Sequence, residues 1–220
     1  MSKGKLIVIE GASDGIGKST QYEKLCQRLE KEKIKIVRHH FPSYGTEQAK
    51  LVENYLKGEY GHPSSLSPYF INSLYAIDRA VTWNTKLQKL YEEGYWIILD
   101  RYTTSSLIYQ SALIEDITLK KEFIDYVTNF EYDKLGIGKP DQVIFLYAPL
   151  ELITQLRRKR NQGMEEDIHE KDFDFMEKVY KNAMFLADYL QFEKVKCNKE
   201  DEMRSIEEIH EEVYQLVKKK

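Results

Sequence analysis

Short apolar, β-branched runs alternate along the chain with longer charged segments whose apolar positions recur at helical spacing. KLIVIE (5–10), KIVRHHF (35–41), YWIILD (95–100) and DQVIFLY (141–147) are the strand candidates, and FEKVKC (192–197) is a weaker fifth. In TQYEKLCQRLEKEK (20–33), Tyr22, Leu25, Cys26 and Leu29 fall on an i, i+3, i+4, i+7 stripe, which predicts an amphipathic helix. Further helices are predicted over 67–94, 105–114, 118–130, 149–160, 170–190 and 203–218. Strands that alternate with helices build βαβ units. The expected fold class is therefore α/β, a five-stranded parallel sheet with helices on both faces. Uninterrupted runs such as IIL and VIFL suit strands covered on both sides.

No internal repeat and no Pro/Gly/Ser linker divides the pattern, so a single domain over 1–220 is expected. HPSSLS (62–67) is the most loop-like stretch, and Pro68 suits the first turn of the helix that follows. The polar segment NQGMEEDIHEKD (161–172) follows the basic run RRKR (157–160). It reads as a lid between two helices, about 157–172, or as an ordinary solvated loop.

Composition narrows the classes. With 42% hydrophobic residues the chain can bury a sizeable core, which excludes disorder, and a net charge of −3 announces no nucleic-acid surface. Cys26 and Cys197 read as free, buried thiols in a reducing compartment. No apolar run approaches the ~20 residues that span a bilayer, and LIVIE is too short for a secretory leader. A cytoplasmic protein with neither membrane nor nucleic acid as partner is expected. The five histidines show no metal-ligand spacing.

The chemistry begins at GASDGIGKST (11–20), which follows a strand and opens a helix. Gly11, Ser13, Asp14, Gly15, Ile16, Gly17, Lys18, Ser19 and Thr20 form a candidate phosphate loop, whose glycines let backbone N–H groups turn toward an anion. The helix adds its positive dipole end. Lys18, otherwise solvated, bridges the β- and γ-phosphates of a nucleotide, and the Ser19 hydroxyl ligates Mg²⁺. Five residues lie between Gly11 and Gly17 where the usual spacing has four, and Ala12 stands at the expected glycine. The spacing from Asp14 to Lys18 is normal, so the extra residue is expected within 11–14. DRY (100–102) ends a strand, where ligands of parallel α/β sheets bind. There Asp100 can hold a magnesium-bound water, and Arg101 can clamp a phosphate with its planar fork.

With these residues the chain resembles the thymidylate kinases, P-loop enzymes that move a phosphate from ATP to dTMP. The resemblance rests on SDGIGKSTQ (13–21), FPSY (41–44), SLYAIDR (73–79), DRYTTSS (100–106), PDQVIFL (140–146) and the basic helix before 161–172. It implies the P-loop kinase fold, Mg²⁺ with ATP, and a homodimer that packs helices across a two-fold axis; the long apolar helix 67–92 is a candidate face, or its apolar residues all face the sheet. By position, Asp14 matches the loop aspartate that orients the acceptor nucleotide. Phe41 and Pro42 match a wall of the dTMP pocket, Tyr75 an aromatic that stacks on thymine, and Arg79 an arginine that hydrogen-bonds to the base. Arg101 matches the arginine on the dTMP phosphate. Ser105 lies in the matching pocket segment, and Tyr109 matches an aromatic that packs where a ribose 2′-OH would go.

Two departures stand out. The family often carries an arginine two residues after the FP pair, where this chain has Tyr44. The family also places a catalytic arginine in the phosphate loop or in the lid. Gly15 follows Asp14 here, so a lid arginine is implied, and Arg157 and Arg160, which share a helix face that Arg158 does not, are the candidates. Spacing alone gives blander roles: Tyr75 as core beside Phe70, Leu74 and Ile77, and Arg79 as a surface ion partner of Asp78 or a neighbour. Two other functions are weighed against a dTMP kinase. One is a kinase for another nucleoside monophosphate or a deoxynucleoside, the other a nucleotide-binding module without turnover.

Overall fold

β1 (Leu6–Gly11) is buried along its whole length and lies at the centre of a parallel sheet. The computed structural model describes residues 3–160 and 173–219, apart from the side chains of 158–160 and 173. β2 (Ile36–His40), β3 (Trp96–Asp100), β4 (Gln142–Tyr147) and β5 (Glu193–Lys196) complete the sheet in the order β2-β3-β1-β4-β5. All five strands fall on the predicted candidates, the fifth on the weaker FEKVKC segment, where only Val195 of EKVK is buried. Alternate residues of β1 feed opposite faces. Ile7 and Ile9 pack with Leu25, Cys26, Leu29, Val213 and Val217, while Leu6 and Val8 pack with Trp83, Leu87 and Tyr102. Cys26 and Cys197 are free and buried, and burial pushes each thiol up to about 12.

Helices cover both faces. α1 (Lys18–Lys31) buries the expected stripe of Tyr22, Leu25, Cys26 and Leu29. α2 (Lys50–Leu56) was not expected. It is only seven residues long, and it docks Val52 and Tyr55 against Ile71 and Leu74. The predicted helix over 67–94 is α3 (Pro68–Thr82), a π-helical stretch at Trp83–Leu87 and α4 (Gln88–Glu92), with Pro68 in the first turn. α5 (Thr103–Ser111) starts two residues earlier than expected. α6 (Ile117–Thr128) runs into a second π-helical stretch, Asn129–Lys134. α7 (Leu150–Arg160), α8 (Phe173–Tyr189) and α9 (Ile206–Lys219) follow. A small hairpin, β6 (Asn198–Lys199) with β7 (Glu202–Met203), precedes α9 and meets the predicted last helix only at Met203, so that helix starts three residues later than expected. The predicted lid segment 161–172 lies outside the described residues.

Parallel pairing aligns the strand ends. Ile9 is level with Asp100, Gly11 is level with Leu146, and the N–H of Phe41 donates to the Asp100 carbonyl at 3.1 Å. The phosphate loop, the Asp100–Arg101 pair and the Phe41–Pro42 pair, whose peptide bond is cis, therefore converge at one edge.

Candidate active site

The loop leaves β1 with its pairing extended by one residue, since the Ala12 N–H donates to the Leu146 carbonyl at 2.9 Å. Gly15 and Gly17 both have positive φ, 97° and 93°. A Cβ on Gly15 would stand 3.0 Å from the Cβ of Arg157, so glycine is needed there for α7 to pack onto the loop. Gly17 is the residue that caps α1.

Lys18 is buried rather than solvated, which corrects the expectation. Its Nζ pairs with Asp100 Oδ1, while Asp100 Oδ2 lies 3.3 Å from His40 Nδ1 and 3.4 Å from the Ser19 hydroxyl. Burial alone would raise the Asp100 carboxyl. The bond from His40 and the charge of Lys18 outweigh it and hold the group below the usual carboxylate range. Burial and the nearby Arg101 lower the Lys18 ammonium. No group of three or more His, Cys, Asp or Glu side chains suited to a metal occurs among the described residues.

Asp14 pairs with Arg101, and Tyr109 donates to its other oxygen at 2.8 Å. Arg101 has a positive φ of 66°, which turns its guanidinium from the end of β3 back toward the loop. Ser105 donates at 2.6 Å to Glu10, a fully buried carboxylate that also accepts from Thr104 at 2.9 Å. Glu10 is the one charge in the apolar strand β1, and nothing local in the sequence reveals its partners.

One pocket at this edge is lined by Asp14, Phe41, Pro42, Tyr44, Tyr75, Arg79, Arg101, Ser105, Ser106, Tyr109 and Gln110, and so gathers every predicted acceptor residue. Tyr75 also touches the core, with its ring edge-on to Tyr55 at 6.2 Å. Arg79 is neither at the surface nor paired with Asp78. It is buried, its Nε and Nη2 reach Glu131 at 2.6 and 2.7 Å, and Nη2 also donates to Ser106 at 2.9 Å. Asp78 instead accepts from the Ser43 N–H at 2.7 Å and so ties the Phe41–Ser43 turn to α3. Ser106, Gln110 and Glu131 were missed from sequence. The available signal was Glu131 itself, a charge that continues the buried stripe of Ile124 and Val127.

A second, adjoining cleft of about 260 Å³ is lined by Ser13, Gly15, Lys18, Ser19, Thr20 and His40, and shares Asp14, Tyr44 and Arg101 with the first pocket. Tyr44 stacks on His40, with centroids 5.9 Å apart, where the family often has arginine. Arg157 faces Ser13 and Asp14 across a small gap, and its charge contributes to lowering the Asp14 carboxyl. The side chains of Arg158 and Arg160 lie outside the described residues.

A phosphate loop on the first strand of a parallel sheet, joined to an acceptor pocket by a shared arginine, defines a P-loop nucleotide kinase. A family model for thymidylate kinase matches residues 9–213. The thymidylate kinase of Mycobacterium tuberculosis is 33% identical over 178 residues, 79% of this chain and 81% of that one. The thymidylate kinase of Plasmodium falciparum is 29% identical over 217 residues, 99% of this chain and 91% of that one. A solved thymidylate kinase structure from Candida albicans superposes with a TM-score of 0.72 at 25% identity, covering 100% of this chain and 93% of that one. The chain belongs to the thymidylate kinase family.

Proposed function

We propose that the chain transfers the γ-phosphate of ATP to dTMP, giving dTDP and ADP for dTTP synthesis. The observation that carries this reading is the sharing of Asp14 and Arg101 by the phosphate cleft and the acceptor pocket, so that two phosphates can meet there. The loop amides and Lys18 would hold the donor phosphates, and Arg157 would add charge on them. Arg101 would draw in the acceptor phosphate despite its like charge, and Asp14 would orient it. Mg²⁺ suits the donor set: one hydroxyl at Ser19 and one carboxylate at Asp100, reached in part through water, with substrate phosphates completing the shell. Bound there, Mg²⁺ would neutralise phosphate charge.

The pocket fits thymine. Tyr75 offers a flat face. Arg79 can only donate, which suits the O4 acceptor. The Oε1 of Gln110 is buried with no hydrogen-bond partner among the described residues, which suits the thymine N3–H. Cytosine reverses both groups. Tyr109 would crowd a 2′-OH.

The test is kcat/KM for five nucleotides. We expect dTMP to be used best, dUMP next, and UMP, dCMP and dGMP poorly. The methyl group is worth only ~1 kcal/mol, whereas an unpaired buried polar group costs ~1–3 kcal/mol. The Candida albicans relative is described as having broad substrate specificity, so equal use of dCMP and dTMP is a real alternative outcome, and it would overturn the pocket assignment.

Two further features belong to this reading. Phe70, Ile77 and Val81 are exposed on one face of α3, at a spacing of seven and then four residues, and they support a homodimer. The free thiols and nucleotide substrates support a cytoplasmic site of action.

A further inference from the structure

Glu131 is fully buried in the π-helical stretch that prolongs α6, where the Leu135 N–H reaches back to the Phe130 carbonyl at 2.8 Å. The wide turn is held in place from outside. The Ile137 N–H donates to the Glu131 carbonyl at 3.1 Å, Tyr102 donates to the Gly138 carbonyl at 3.0 Å, and Gly138 lies so close to the Trp83 ring that a Cβ would overlap it. The carboxylate is pinned as well. One oxygen accepts from Arg79 Nε at 2.6 Å and Thr103 Oγ1 at 2.9 Å, and the other from Arg79 Nη2 at 2.7 Å.

This geometry sorts the five N–H donors of Arg79. Nε and one hydrogen of Nη2 go to Glu131, and the other hydrogen of Nη2 is shared between Ser106 Oγ at 2.9 Å and Asn72 Oδ1 at 3.4 Å. The hydrogen bonds of Arg79 within the described residues all run from Nε and Nη2, which leaves both hydrogens of Nη1, and Arg79 lines the acceptor pocket. Because Ser106 accepts from Arg79, its own proton is also left for the pocket. A flexible arginine could rotate to present any of these edges. One clamped along Nε and Nη2 presents a single fixed donor edge.

We propose that Glu131 is a specificity-positioning residue. By clamping Arg79 side-on it leaves Nη1 as the group that meets the nucleobase, so the pocket selects a base with an acceptor, not an amino group, at that edge. The proposal rests on the assignment of this pocket to the nucleobase. Glu131 acts only through Arg79 and touches no reacting group. The charge of Glu131 outweighs burial and holds the Arg79 guanidinium above its ordinary range, so the donor edge stays fully protonated.

The test compares kcat/KM for dTMP and dCMP in the wild type, Arg79→Ala, Glu131→Gln, Glu131→Asp and the Arg79→Ala/Glu131→Gln double variant, with folding checked by near-UV circular dichroism. Glu131→Gln should lower the dTMP-over-dCMP preference about tenfold, chiefly through KM for the nucleoside monophosphate. The double variant should lose no more preference than Arg79→Ala alone. Glu131→Asp keeps the buried charge with a shorter reach and should lose preference roughly threefold. It decides the matter if Glu131→Gln does not fold. Should Arg79→Ala reduce the preference while the folded Glu131 variants slow both substrates equally, the positioning role is overturned and the pocket assignment stands. Should Arg79→Ala itself leave the preference intact, the pocket assignment fails first.

Discussion

Asp14 and Arg101 form an ion pair that bridges the phosphate loop and the end of β3. Burial alone would raise the Asp14 carboxyl. The Arg101 charge and the Tyr109 hydrogen bond outweigh it and keep the group ionised. Arg101 reaches this position through a left-handed backbone that costs a non-glycine residue ~1–3 kcal/mol, so the pair is maintained against strain. An incoming acceptor phosphate would compete with Asp14 for the same guanidinium, and the aspartate would then be free to orient the nucleotide.

Tyr109 carries two separable roles, one in its hydroxyl and one in its ring. Tyr109→Phe removes the 2.8 Å bond to Asp14 and keeps the bulk. kcat should fall about tenfold, the scale of one hydrogen bond to a charged group, with the preference for dUMP over UMP retained. Tyr109→Ala should lose both. Steady-state kinetics on dTMP, dUMP and UMP separate the two, and a Phe variant that accepts UMP as readily as dUMP would remove the ring from sugar selection.

Lys18→Ala should lower kcat by at least ~10²–10³, as expected when a charge on the transferred phosphate is removed. Because Lys18 is buried against Asp100, the variant also leaves a buried carboxylate that has lost its ammonium partner and keeps His40 and Ser19 beside it. Urea denaturation should show a loss of about 1–3 kcal/mol. Lys18→Ala/Asp100→Ala should recover part of that stability and none of the activity. A single variant that turns over within a few-fold of wild type would show that Lys18 does not meet the donor phosphates.

What the sequence revealed and what it hid divide along contact distance in the chain. A phosphate loop needs contiguous backbone N–H groups between a strand and a helix, so GKST was readable where it stood, and Arg101 was readable because a strand ends there. The partners of Glu10 and Glu131 were not readable. Glu10 meets Ser105 across 95 residues, and Glu131 meets Arg79 across 52, and no local pattern encodes either pairing. Lys18 was misjudged for the same reason, since Asp100 lies 82 residues away. α2 was missed because two turns give too few apolar repeats to establish a period.

The exposed face of α3 predicts self-association. Ile77 and Val81 lie one turn apart toward the C-terminal end of the helix, and both are exposed. Ile77→Glu/Val81→Glu places two charges there without disturbing the inward side chains Leu74 and Asp78. Sedimentation equilibrium should show a dimer for wild type and a monomer for the variant, with the helical circular dichroism unchanged. A wild type that remains monomeric at tens of micromolar would assign the patch to something other than a second copy.

Stability should also depend on pH through a residue that supports the pocket wall. His39 lies in β2 with its Nε2 at 2.9 Å from the Ser43 hydroxyl and its ring edge-on to Phe41 at 4.6 Å. Burial pushes its pKa down to about 4, outweighing the upward pull of Asp78, and smaller repulsions from Lys86 and His40 lower it further. The folded state therefore binds this proton less readily than the unfolded chain, whose histidine titrates near 6.5. Between those values the unfolded state holds more protons, so stability rises with pH. The contribution is complete above about 6.5 and is lost as pH falls toward 4. The ring is partly exposed, which reduces the expected loss to about 1–2 kcal/mol. His210, lowered by burial and by the charges of Arg28 and Lys24, adds a change of the same sign. The ionised Asp14 and Asp100 contribute below about pH 4, because their folded-state values lie under the ordinary carboxylate value. His39→Gln keeps a polar group against Ser43 and has no proton to gain. Denaturation at pH 7 and pH 4.5 should show a smaller drop for this variant than for wild type, with the His210 share remaining. An identical drop in both proteins would mean that His39 is as accessible to protons in the folded chain as in the unfolded one.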